Sequence, residues 1–170
     1  MNRILLLPLL FISCQTMNKD LAVVDKVDLA RYAGTWFEIA KLPNSFEKGL
    51  KCVSATYTIR ADGKIKVTNQ GINTRKHNKI QKIEGVAFIP DKSSPTKLKV
   101  RFFWPFSGNY WIIGLDQENY QYALIGDPSR KYLWVLCRTK TLDTAIFNVL
   151  ITKAKEDGFD VSKVTMTIQE

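Results

Sequence analysis

Three cysteines and one histidine are the residues whose spacing bears most directly on thiolate or imidazole metal binding, thiol nucleophiles and disulfide exchange. Their spacing supports little of that chemistry. Cys14, Cys52 and Cys137 form no Cys-x-x-Cys pair, so neither a thioredoxin-like couple nor a thiolate zinc site is encoded locally. A serine triad or a histidine-ligated haem needs a positioned imidazole, and His77 is the single candidate, with tyrosines as its only helpers towards a weak haem contact. Acid–base work inside a fold would fall to Glu38 and Tyr57, which nothing in the spacing marks as a poised pair. The sequence therefore predicts no catalytic residue, no metal and no cofactor. What it offers instead is a set of apolar and aromatic residues at alternating positions.

Those residues sit in short strands. Gly34-Thr35-Trp36 opens the alternating segment Trp36–Ala40, and Tyr132–Leu136 runs into Cys137-Arg138-Thr139 a hundred residues later. Between them strand signals recur every 10 to 15 residues: 53–59, 64–70, 80–89, 98–102, 110–115 and 121–125, separated by turn chemistry such as Asp62-Gly63. The expected fold is all-β, an eight-stranded antiparallel up-and-down barrel. Trp36 at the start of the first strand and Arg138 at the end of the last would plug its floor. Leu142, Ala145, Ile146, Val149, Leu150 and Ala154 then recur at helical spacing. They predict one C-terminal helix, started by a Thr141 cap with Asp143 in its first turn, ended near Gly158 and packed on the barrel wall. Val164, Met166 and Ile168 can add to an edge.

The first residues set the compartment. Met1-Asn2-Arg3 is a positive leader, and Ile4–Ile12 is an apolar run too short to cross a bilayer but suited to a signal peptide. Ser13-Cys14 resembles the lipobox of bacterial lipoproteins, with Phe11 where that motif usually has Leu. It implies a signal peptide over 1–13, an acylated Cys14 with a polar tether over 14–27, and one domain over 28–170. Gln15 after the cysteine favours the outer membrane. An ordinary leader with an incidental cysteine is the alternative. The net charge of +9 becomes 9 − 1 = +8 without Arg3. In an exported chain with dispersed Lys and Arg that charge suits anionic lipid head groups, or a merely solubilising surface, rather than nucleic acid.

Taken together, the ordered motifs resemble the lipocalins, and within them the group joining bacterial outer-membrane lipoproteins with apolipoprotein D. They are Gly34-Thr35-Trp36 with Glu38-Ile39-Ala40, Phe46-Glu47-Lys48-Gly49, Ala55-Thr56-Tyr57, Asp116 with Tyr120–Leu124, Tyr132–Leu136, Arg138-Thr139 and Gly158–Lys163. The resemblance implies a calyx open at one end. It assigns Gly34, Trp36 and Arg138 to fold maintenance, with the Arg138 charge over the Trp36 ring, and Asp116 to a turn at the closed end.

With Trp36 inward, period two predicts the lining. Glu38 and Ala40 follow on the first strand, and Ala55, Tyr57 and Ile59 on the second. Ile65, Val67 and Asn69, then Leu98, Val100 and Phe102, and finally Trp134 and Leu136 complete it. Tyr57, Asn69 and Trp134 match positions that contact small hydrophobic ligands in the related apolipoprotein D pocket. A collapsed core filled by these aromatics is the other reading, and Glu38 fits a buried, hydrogen-bonded carboxyl better than a ligand group.

Loops at the mouth carry Leu42–Phe46, Arg75–Lys79, Trp104-Pro105-Phe106 and Arg130-Lys131. Aromatic beside basic residues suit a lipid interface, and Trp104 with Phe106 folding over the pocket as a lid is the competing expectation. Cys52 falls near the mouth and Cys137 near the floor, which predicts two unpaired thiols. The expected function is a membrane-anchored carrier or store for fatty acids or lysophospholipids, lipid-anchored at the outer membrane and facing the periplasm. Its partners would be that ligand and the membrane, through Cys14 and the Trp104/Phe106 loop, with a homodimer left open. The alternatives are a calycin-type enzyme using the cavity, or an envelope scaffold with a filled barrel.

Overall fold

A computed structural model describes residues 20–170. The expected signal peptide and Cys14 lie outside the described residues. Eight strands follow one another as expected: β1 (Gly34–Lys41), β2 (Leu50–Ile59), β3 (Ile65–Asn73), β4 (Lys79–Phe88), β5 (Lys97–Phe103), β6 (Phe106–Leu115), β7 (Tyr122–Gly126) and β8 (Leu133–Cys137). Each pairs antiparallel with its neighbour, and β1 pairs with both β8 and β2, which closes the barrel. Closure leaves no unpaired edge among these eight along the floor half of the molecule.

Two helices bracket the strands. The short α1 (Leu29–Tyr32), capped by Asp28, lies at the closed end and was not legible in the hydrophobic pattern. The predicted C-terminal helix is α2 (Thr144–Glu156). Its cap is Asp143 rather than Thr141: the Asp143 carboxylate accepts from Ala145 N at 2.8 Å and Ile146 N at 3.2 Å. An ionised cap oxygen at the positive helix end gains from both hydrogen bonding and the dipole, and with the helix starting at Thr144 the cap position falls on Asp143, two residues past Thr141. At the other end Phe159 N bonds Ala154 O and Gly158 N bonds Lys155 O, with Gly158 at φ +89°, which is a Schellman motif. The last strand, β9 (Thr165–Met166), adds to β1 at Ala40 and Lys41.

Two cores result. One lies outside the barrel, where Leu150, Ala154 and Phe159 cover Ile113, Leu124 and Val135. The approach is close because Gly126 carries no side chain: a Cβ there would stand 2.7 Å from the Phe159 ring. Leu21 is buried in this same core, and Val24 N donates to Ile112 O. Leu21 and Val24 thus make contact with the folded body ahead of the expected domain start at residue 28. The second core fills the closed end inside the barrel, around Trp36, Ile65, Leu98, Ile112 and Ile125.

Candidate functional site

The barrel encloses a cavity of about 700 Å³, within the range of small-molecule pockets. Period two places its walls well. Tyr57, Asn69 and Val100 line it, as do Phe102, Trp134 and Leu136, all as expected. Ala55 and Val67 lie with them, while Ile65 and Leu98 fill the core beneath.

Two expected lining residues are displaced. Ala40 is buried in the outer core beneath α2 rather than in the cavity. The register between β1 and β8 shifts between Glu38 and Ala40, so Glu38 opposes the inward Leu136 whereas Ala40 opposes the outward Val135. A bulge of one residue reverses every later side chain of the strand. Ile59 is 45 % exposed, because it ends β2 at the closed-end hairpin, past the level of the Trp36 plug.

The floor follows the resemblance. The Arg138 guanidinium stands 3.9 Å from the Trp36 ring centroid. It donates to the carbonyls of Arg31, Tyr32, Ala33, Thr35 and Tyr120 at 2.7 to 3.2 Å. Trp36 Nε1 donates to Tyr32 O at 2.8 Å. Gly34 has φ +97°, and a Cβ there would approach Arg138 Nη1 to 3.2 Å. Asp116 accepts from the backbone of Glu118, Asn119 and Gln121, fixing the turn before β7.

Upper and lower polar groups interrupt the apolar walls. On one side Glu38, only 2 % exposed, accepts from Lys41 Nζ at 2.7 Å and from the Thr167 hydroxyl. Lys41 also pairs with Glu47 at 3.3 Å, and Trp134 Nε1 donates to Glu47. Burial, and then the Glu47 charge, push the Glu38 carboxyl up to about 7, against the opposing pull of Lys41. Lys41, Glu47 and Thr167 were missed from sequence. The bulge turns Lys41 towards Trp134, and Thr167 arrives from 129 residues away. Gln169 completes the attachment, donating to Glu38 O on β1 and to Val53 O on β2.

Near the floor Tyr57 donates to Tyr110 at 2.9 Å, and the Tyr110 and Tyr32 hydroxyls lie 2.7 Å apart. Burial raises the Tyr57, Tyr110 and Tyr32 hydroxyls well above the usual phenol range, so all three are neutral. Glu38 and Tyr57 are each engaged by other partners, and no geometry sets them as a general acid and base. Among the described residues no cluster of three His, Cys, Asp or Glu could hold a metal ion. Cys52 Sγ faces Glu170 O and Cys137 Sγ faces Thr139 Oγ1, each at 3.2 Å, and both thiols are free.

The mouth is ringed by exposed apolar side chains. Trp104 and Phe106 are 81 % and 77 % exposed and project from the β5–β6 hairpin. The lid expectation is corrected by this: their neighbours Phe103 and Ser107 reach the cavity lining, while Trp104 and Phe106 themselves point to solvent. Phe46, Ile80 and Phe103 add to the ring, beside the exposed Arg75, Lys76 and Lys79.

A plugged floor, a mainly apolar cavity and an outer helix have counterparts among known proteins. A family model for the lipocalin-like domain matches residues 27–169. The chain is 38 % identical to the outer membrane lipoprotein Blc of Vibrio cholerae, over 98 % of this chain and 97 % of that protein. To the protein of the same name from Citrobacter freundii it is 43 % identical, over 89 % of this chain and 85 % of the relative. Insecticyanin from the tobacco hornworm Manduca sexta superposes with a TM-score of 0.69 at 27 % identity, covering 87 % of this chain and 84 % of that one.

Proposed function

The chain belongs to the lipocalin-like domain family, and from that premise we propose that it carries or stores single-chain amphiphiles, fatty acids or lysophospholipids, in its barrel. In this reading acyl groups on Cys14 anchor it to the outer membrane with the domain facing the periplasm; the outer-membrane lipoprotein names of its bacterial relatives support the anchoring to that membrane. Binding needs no covalent step. One observation carries the reading: the barrel is not filled, and the cavity has apolar walls of Val67, Val100, Phe102 and Leu136 beneath an aromatic mouth of Phe46, Tyr132 and Trp134.

The energetics follow from area. Each buried methylene contributes about 0.8 kcal/mol, close to fourfold in affinity, until the chain outgrows the cavity. Trp134 stacks with Tyr132 at 5.9 Å and 7° and anchors its indole on Glu47, so the ring is held as a rigid wall. Native mass spectrometry with acyl chains of 10 to 18 carbons is the test. A one-to-one complex that tightens with chain length, and that Trp134→Ala weakens about tenfold, supports the reading. Absence of any complex would return the barrel to a scaffold.

A further inference from the structure

The hydrogen-bonding groups at the cavity floor exceed what a plain acyl chain can use. Three hydroxyls, those of Tyr32, Tyr57 and Tyr110, make two contacts, so one O–H stays uncommitted. When Tyr32 donates to Tyr110, the free O–H is that of Tyr110, which lines the cavity. Asn69 stands on the same inner surface. On β3 it lies one inward position nearer the mouth than Val67, which opposes Tyr57. Its Oδ1 is fully buried and has no hydrogen-bond partner among the described residues.

We propose that this floor is a recognition subsite for a hydroxyl group, so that the ligand is a long-chain amphiphile carrying an alcohol on its buried end. The proposal rests on the reading of the cavity as an acyl site and names the chemistry of its deep end. A methyl end leaves both the spare donor and the Asn69 acceptor unpaired. A carbonyl end satisfies the donor alone. A hydroxyl accepts from tyrosine and donates to Asn69 at once. A carboxylate finds no cation: among the described residues no Lys or Arg lines the cavity, and the Arg138 guanidinium is spent on five backbone carbonyls beside Trp36.

Calorimetric titration of the purified full chain with hexadecanoic acid and with 16-hydroxyhexadecanoic acid tests this. The hydroxylated probe is expected to bind about tenfold tighter, and Asn69→Leu should abolish that preference, read as the ratio of the two affinities in the same variant. Tyr110→Phe gives a second variant with the same expected loss should the first fail to fold. Equal affinities in the wild-type chain, or a preference unchanged in the variants, would overturn the subsite while leaving the acyl cavity intact. Failure of both probes to bind would instead overturn the acyl reading beneath it.

Discussion

Single residues hold this barrel at two points, and both can be tested. Arg138 joins α1, β1 and the turn before β7 through five carbonyls and the Trp36 face, a set that only a planar, multiply donating cation can serve. Arg138→Lys should lower unfolding free energy by about 2 kcal/mol or more in urea titrations, since most of those carbonyls lose their donor. Glu38 makes stability depend on pH. Its carboxyl ionises at about 7 when folded against 4.5 ordinarily, so between those values the folded state binds the proton that the unfolded state has released. Stability therefore falls as pH rises from 4.5 through about 7, by up to about 3 kcal/mol for a shift of 7 − 4.5 = 2.5 units. Glu38→Gln should flatten this decline in melts run from pH 5 to 8. An unchanged slope would place the titration elsewhere.

At the scale of elements, the hairpins at the mouth and the C-terminal segment do different work. The β5–β6 hairpin exposes Trp104 and Phe106 to solvent beside a basic rim. Neither side chain packs on the barrel, so Trp104→Ser with Phe106→Ser should leave the melting temperature unchanged. The same pair should lose about tenfold in binding to vesicles containing anionic phospholipid, and residual binding should fall further with salt as the basic rim is screened. Vesicle affinity equal to wild type would exclude the hairpin from membrane contact. The C-terminal segment closes a different gap. β1 pairs with β2 only from Gly34 to Phe37; nearer the mouth the two strands part, and β9 with Thr167 and Gln169 bridges them. The alternation of Val164, Met166 and Ile168 indicated an added edge, but not that polar Thr167 and Gln169 point inward to secure it.

For the whole molecule, the sequence by itself determined the barrel, its strand order, the outer helix and most of the cavity wall. The reason is physical: a strand buried on one face must alternate, so each of Tyr57, Asn69, Val100, Phe102, Trp134 and Leu136 carried its orientation in its position. The plug of Trp36 and Arg138 was readable through the resemblance of the ordered motifs to the lipocalins. Tertiary structure decided what local periodicity cannot encode. One bulge in β1 sent Ala40 out and turned Lys41 towards Trp134. Asp143 rather than Thr141 became the cap because the helix begins at Thr144, which sets the Asp143 carboxylate against the free N–H groups of Ala145 and Ile146. The Glu38–Lys41–Glu47–Thr167 group and the tyrosines at the floor join residues up to 129 positions apart, and the protonation of Glu38 and of the tyrosines depends on burial that exists only once the barrel closes. Alternation fixes which way a side chain faces; only the closed fold fixes what it meets there.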